Sequence, residues 1–134
     1  MAADCIFCQI VAGEIPAQII EQDEHTLTFM DIAPATRGHA LVIPKRHAID
    51  LWEIDPDQLA AVATAAQRQA LRARDRLGAA GVNLINSCGA AAWQTVFHFH
   101  MHVIPRYVGD PLQLPWIPAP GDLDDIAAAA AELR

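Results

Sequence analysis

Three histidines stand at every second position in the run Phe97-His98-Phe99-His100-Met101-His102-Val103. Side chains of an extended strand alternate between its two faces. The spacing therefore puts His98, His100 and His102 on one face and Phe97, Phe99, Met101 and Val103 on the other. Three adjacent imidazoles make poor core packing, so their face is expected to line a cleft. Two kinds of chemistry suit it. Imidazole is a common metal ligand, and alternate histidines on a strand can hold one ion. A neutral imidazole is also a nucleophile near pH 7 that forms a covalent intermediate for water to clear. Its neighbours would then orient it and move protons. A second candidate lies near the start of the chain, where Cys5 and Cys8 form C-x-x-C, a metal or redox spacing. Three cysteines, an odd number, do not suggest a disulfide framework. Cys88 is isolated and reads as a small loop residue.

The elements around these residues follow from periodicity. Residues 5–12 read as a short helix or turn. Ile15–Gln22 and Thr26–Met30 read as strands separated by Asp23-Glu24-His25. His39–Ile43 is a third strand, closed by Pro44. Asp55 suits an N-cap and Pro56 the first helical position. Leu59, Val62, Ala66, Ala70 and Leu77 keep helical spacing up to Gly78, a stop signal. Arg68, Arg72 and Arg76 form a stripe on the polar side of that helix, read as a solvated face. Val82–Asn86 and Phe97–Arg106 are two further strands, the second with its apolar face against the long helix. Pro111, Pro115, Pro118 and Pro120 rule out a regular ladder after Val108. Asp122 caps a last alanine-rich helix ending near Leu133. The sum is an α+β fold: a mostly antiparallel sheet of about five strands, one long helix and short terminal helices. Residues 1–108 read as one domain and 109–134 as a Pro-rich tail with a short helix, packed on the same domain or on a partner subunit.

The chain has 134 residues, the size of one domain, and a net charge of −7. That charge argues against long nucleic acids, whose phosphates need a basic surface. It leaves room for a small nucleotide held by backbone N–H groups and neutral donors. No run of about 18 consecutive apolar residues exists to span a membrane. Asp4 and Gln9 stand where a signal peptide carries basic and then apolar residues, so the expected location is the cytoplasm.

His98-Phe99-His100-Met101-His102-Val103-Ile104 resembles the signature of histidine-triad (HIT) proteins, H-φ-H-φ-H-φ-φ with φ apolar. Asp4-Cys5-Ile6-Phe7-Cys8 is similar to that family's N-terminal segment. Phe29-Met30-Asp31-Ile32 and Gly38-His39-Ala40-Leu41-Val42-Ile43-Pro44-Lys45 are similar to its nucleotide-side strands. Gln94-Thr95-Val96 leads into the triad as the family's Gln-Ser/Thr-Val does. The resemblance spans residues 4–107, in order. It implies a HIT-like fold and a homodimer in which two sheets join.

The resemblance also implies roles. His100, the middle histidine, would be the nucleophile that attacks the α-phosphorus. His102 would contact phosphate oxygens, and His39 would join the catalytic group from a neighbouring strand. Asn86, Gln94 and Thr95 would surround the phosphate and leaving group, neutral donors suited to charge that develops on phosphoryl oxygens. Asp31 would accept hydrogen bonds from the ribose hydroxyls; as a residue before Pro34 it also reads as a simple turn former. Phe7, Ile10 and Ile32 would sandwich a purine base. Cys5, Cys8, His47 and His98 would bind a structural zinc ion (Zn2+), as in bacterial Hint-like members; two Cys and two His make a closed tetrahedral set. The competing reading of the cysteines is a reduced thiol pair. One departure stands out. The family places glycine before the Gln, and here that residue is Trp93, in a loop one residue longer from Asn86. Trp93 is a candidate for packing beside the leaving group.

The implied activity is hydrolysis of purine nucleotide phosphoramidates or dinucleoside polyphosphates through a nucleotidyl-histidine. Pro105-Arg106 leans toward the second substrate and the cysteine segment toward the first. The alternatives are a non-catalytic purine nucleotide-binding sensor and a metallohydrolase with its metal on the triad.

Overall fold

The computed structural model describes residues 4–134. Five strands form one sheet: β1 (Ile19–Gln22), β2 (Thr26–Met30), β3 (Ala40–Pro44), β4 (Gly81–Ile85) and β5 (Met101–Arg106). Their order is β1-β2-β3-β5-β4, and every neighbouring pair is antiparallel. The last strand thus inserts between β3 and β4. That insertion brings the end of the histidine run into the middle of the sheet, with His102 opposite Leu41 on one side and Ile85 on the other.

Three helices complete the α+β fold: α1 (Ile6–Val11), α2 (Pro56–Leu77) and α3 (Leu123–Leu133). The boundaries of α2 are set locally. The Asp55 side chain accepts from the Asp57 N–H, Pro56 opens the helix, and Gly78 closes it at φ 71°. Its buried Val62, Ala65 and Ala66 pack with Val42, Phe99 and Val103 on one face of the sheet. On the other face Phe7 and Ile10 of α1 pack with Leu27, Phe29, Leu41 and Ile43. The alternation of β3 decides which side each residue serves: Val42 faces α2, while Leu41 and Ile43 face α1.

Three sequence expectations need correction. The first strand starts at Ile19, not Ile15; Pro16 has no N–H for a ladder. The last strand starts at Met101, not Phe97. The backbone bends over residues 96–98, and the Phe99 N–H donates to the Ala48 carbonyl at 2.7 Å instead of to a strand. Phe97 is consequently half exposed, while Phe99 and Val103 reach the α2 core as expected. Two arginines of the stripe are not simply solvated, while Arg76 is exposed as expected. Arg68 pairs with Glu21 at 2.7 Å and Asp23 at 3.1 Å, and Arg72 also pairs with Glu21. These ion pairs tie α2 to β1. Residues 109–122 are irregular, and α3 has no buried residue. Among the described residues no helix is long and apolar enough to cross a membrane.

Candidate active site

A cavity of about 510 Å3 opens on the α1 side of the sheet. Phe7 and Ile10 of α1, Phe29 and Asp31 at the end of β2, Leu41 of β3, and His39, His100 and His102 line it. His100 and His39 are buried, whereas His102 is partly exposed. The three triad rings stay on one side of the sheet although His98 and His100 precede β5. Phe7 meets His98 and His100 edge-on, with ring centres 5.9 and 5.2 Å apart, and the His100 and His102 rings are 5.0 Å apart.

Main-chain groups fix which nitrogen of each ring carries the proton. His100 Nδ1–H donates to the His98 carbonyl at 2.7 Å, so the lone pair is on Nε2. His98 Nε2–H donates to the Pro44 carbonyl at 2.8 Å, so its lone pair is on Nδ1. His39 Nδ1 accepts from the Ala35 N–H at 2.9 Å, which leaves the His39 proton on Nε2. That proton points at His102 Nδ1, 2.9 Å away. His102 must therefore accept at Nδ1 and carry its own proton on Nε2. Burial keeps these imidazoles neutral. It pushes His98 down to about 4, against the Pro44 carbonyl and with help from His47 and His100. It pushes His102 to about 4, with help from His100 and His39 and against Asp31. Burial also lowers His100 and His39, and Asp31 opposes it at each.

A second cluster lies behind the triad. Cys5 is the N-cap of α1 and Cys8 sits one turn on. Cys5 Sγ is 3.4 Å and Cys8 Sγ 3.6 Å from His98 Nδ1. Cys8 Sγ is 3.3 Å from His47 Nδ1, and the two Nδ1 atoms are 3.2 Å apart. Tetrahedral zinc, with bonds of about 2.3 Å to sulfur and about 2.0–2.1 Å to nitrogen, puts its nitrogens about 3.4 Å apart and sulfur about 3.6 Å from nitrogen. The four separations given are compatible with that tetrahedron, and His98 has its lone pair on the nitrogen near the two thiols while Pro44 holds the other, the outer support such a ligand would use. Asp31, His39 and His102 also gather their polar atoms, but His39 Nε2 carries a proton there and has no lone pair for a metal.

The HIT domain model matches residues 12–109, most of the chain. The chain belongs to the HIT domain family. Protein hit of Bacillus subtilis (strain 168) is 40% identical over 137 residues, covering 98% of this chain and 94% of that relative. A zinc-bound histidine-triad family protein from Mycobacterium smegmatis is 45% identical with a TM-score of 0.80, over 97% of this chain and 95% of that one. A histidine-triad nucleotide-binding protein from Candida albicans is 30% identical with a TM-score of 0.83, over 97% and 94%.

The HIT fold gathers most of the residues singled out in the sequence. Phe7, Ile10, Asp31, His39, Thr95, His100 and His102 line the cavity together; Ile32 also lines it and is 99% exposed at its rim. Asp31 is the turn former its sequence position suggested, and its second oxygen faces the histidines. Oδ1 accepts from the Ala33 N–H at 2.8 Å, a turn bond, while Oδ2 lies 3.5 Å from His39 Nε2. Asn86 and Gln94 sit apart from the cavity lining. Asn86 Nδ2 donates to the His100 carbonyl at 3.0 Å. Gln94 is buried, with Nε2 donating to the Ile49 and Val96 carbonyls and Oε1 accepting from the Gly89 N–H. Cys88 lines none of it. Trp93 has φ 73° and is the sole non-glycine with positive φ among the described residues, a conformation that costs a residue with a Cβ roughly 1–2 kcal/mol. Sequence reasoning missed the three anchors on Ala35, Pro44 and His98, because a main-chain N–H or carbonyl leaves no mark in residue type. Leu41 and Phe29 could have been found from strand alternation with Asp31 and His39.

Proposed function

We propose that this HIT protein hydrolyses purine nucleoside phosphoramidates or dinucleoside polyphosphates through a covalent bond to His100. The observation that carries the reading is the 2.7 Å bond from His100 Nδ1–H to the His98 carbonyl. It leaves the Nε2 lone pair on a buried ring that lines the cavity. Nε2 attacks the α-phosphorus, the bond to the leaving amine or phosphate breaks, and the leaving group takes up a proton from solvent, which the hydrolytic water later returns. The nucleotidyl-imidazolium keeps its Nδ1–H on the His98 carbonyl, which supports the positive charge as it forms. Water then attacks phosphorus, giving nucleoside monophosphate and neutral His100 again. His102 Nε2–H donates a hydrogen bond to a phosphoryl oxygen or to the leaving atom and keeps its proton, since the ring is neutral. Asp31 Oδ2 accepts from the ribose hydroxyls, Thr95 offers its hydroxyl to the phosphate, and Phe7, Ile10 and Ile32 hold the base. Asn86 and Gln94 serve the same phosphate region by holding the His100 carbonyl and the loop before Thr95.

Zinc is the proposed occupant of Cys5, Cys8, His47 and His98, where it fixes the N-terminal helix to the catalytic segment. A reducing cytoplasm would keep both thiols available for it. A second copy is the proposed partner. The unpaired edge strand β4 carries exposed Leu84 and Ile85, an edge that invites another chain. The 109–134 tail, which buries nothing of α3 on its own subunit, would rest on that copy.

One observation favours a second reading, a purine nucleotide sensor without useful turnover. Gln94 spends its amide on the Ile49 and Val96 carbonyls, so the phosphate has fewer donors. Incubating wild type and His100→Ala with adenosine phosphoramidate and with a diadenosine polyphosphate decides between them. Release of AMP by the wild type alone, with AMP bound by both, supports the hydrolase, and the faster substrate names its branch. Binding without cleavage supports the sensor. Full activity in His100→Ala rejects the nucleophile.

A further inference from the structure

Trp93 is costly where it stands. It closes the 3-10 turn Ala90–Ala92 in the left-handed region, with its N–H on the Ala90 carbonyl at 3.1 Å. The loop gives it no freedom to relax. The Gln94 N–H returns to the Gly89 carbonyl at 3.1 Å, and the Gln94 side chain binds the Gly89 N–H at 2.8 Å and the Ile49 carbonyl at 2.8 Å. Nor does the side chain repay the strain inside the protein. Trp93 is 73% exposed, and among the described residues its indole meets no other ring. Glycine would satisfy the same backbone without strain. A strained residue that the surroundings hold in place, at the wall of a cavity, points to a role in that cavity.

The direction of the reaction says which part of a substrate it meets. His100 is buried at the floor of the cavity, and Trp93 lines the same cavity from an exposed position. Displacement at phosphorus runs in line, with the leaving atom opposite the attacking one. A leaving group expelled from a nucleophile on the floor points toward the mouth. The nucleoside is held elsewhere, at Asp31 and the α1 wall. What stands at the mouth is a flat apolar ring with an open face.

We propose that Trp93 selects the leaving group, favouring a planar aromatic amine over a small one by stacking on it. This rests on the reading of His100 as nucleophile. Bond-making and bond-breaking are unchanged; the indole adds binding to the departing ring. Stacking of this kind is worth about tenfold.

The test uses the full chain and two substrates, adenosine phosphoramidate, which releases ammonia, and the adenosine phosphoramidate of 1-naphthylmethylamine. The quantity read is the ratio of kcat/KM for the aromatic to the ammonia substrate. Trp93→Gly should lower that ratio about tenfold, Trp93→Leu should lower it similarly, and Trp93→Phe, which keeps a flat ring, should hold it within about threefold. Trp93→Gly should also raise Tm, because the strain is gone. An unchanged ratio in Trp93→Gly overturns the proposal, and so does a fall in Tm, which would make Trp93 a stability residue. If the wild type cleaves neither compound, the hydrolase reading fails separately. The ratio of the two dissociation constants, measured by calorimetry on wild type and Trp93→Gly, then decides Trp93 alone: a tenfold change supports it and an unchanged ratio overturns it.

Discussion

His39 Nε2 and His102 Nδ1 lie 2.9 Å apart, and one proton sits between them. The Ala35 N–H on the far side of His39 decides who owns it. In the proposed reaction His39 acts through His102: it holds that ring in the tautomer that turns an N–H toward substrate. Replacing His39 with alanine should lower kcat roughly ten- to a hundredfold, the usual effect of losing an outer hydrogen-bond partner. The decisive readout is nitrogen NMR of His102. In wild type Nδ1 is the bare nitrogen, and in His39→Ala the two tautomers should mix. Unmixed His102 resonances in the variant would show that His39 does not set them.

Removing the metal should loosen the catalytic segment. The proposed ligands come from α1, the loop after β3 and the start of the histidine run, and His98 would be a ligand while its carbonyl holds His100. One zinc per chain is expected by elemental analysis, lost in Cys5→Ser and Cys8→Ser. Chelation or either variant should lower stability by several kcal/mol, since metal affinity is folding free energy at such a site. A protein purified without added metal that holds no zinc, and whose Tm is unmoved by zinc or chelator, would reject the assignment.

Much of this site was legible because its chemistry sits in side chains at short spacing. The row His98, His100, His102 and the pair Cys5, Cys8 each reveal themselves locally. The helix caps at Asp55 and Gly78 do too, since they act within one turn. Alternation failed at Phe97 because pairing is not local: β3 pairs with β5 only through Ala40, Leu41 and Val42, and beyond that the chain bonds to Ala48 instead. Arg68 and Arg72 looked solvated because their partners, Glu21 and Asp23, lie 45 or more residues away; Arg76 is exposed, as its place in the stripe suggested. Gln94 carried the right residue type for a phosphate donor, but only the folded loop reveals that main-chain carbonyls use it.

Gly38 should tolerate a side chain poorly, chiefly because of its backbone conformation. Its φ is 89°, and a Cβ there would lie 2.4 Å from Leu77 Cδ1 and 3.3 Å from Pro105 Cγ. The residue next to it is His39, so the close approach of β3, β5 and the end of α2 sets where the His39 ring stands. Gly38→Ala should cost roughly 2–3 kcal/mol through strain and overpacking, read as a Tm lower by roughly 6–12 °C. Gly13, at φ 77° with nothing within 4 Å of its Cβ position, is the control: Gly13→Ala carries only the backbone penalty and should lose less. Equal losses at the two sites would remove the packing argument.

Glu21 joins β1 to α2 and makes that joint pH-dependent. Its carboxyl is held below the ordinary 4.5, chiefly by the hydrogen bond from Arg68, with Arg72 adding to it and burial opposing it. A carboxylate depressed in the folded state stabilises it above the unfolded value. That contribution is lost as pH falls through the folded value, when the group must take up a proton it does not favour. Glu21→Gln should therefore lower stability by about 1 kcal/mol at pH 7, a modest figure because the arginines remain partly exposed to solvent. The gap between variant and wild type should shrink as pH drops below 4.5. High salt should shrink it too, since it screens the partly exposed partners. Urea melts of both proteins at pH 7 and pH 3 measure this directly. A gap of the same size at both values would mean that Glu21 acts through packing rather than charge.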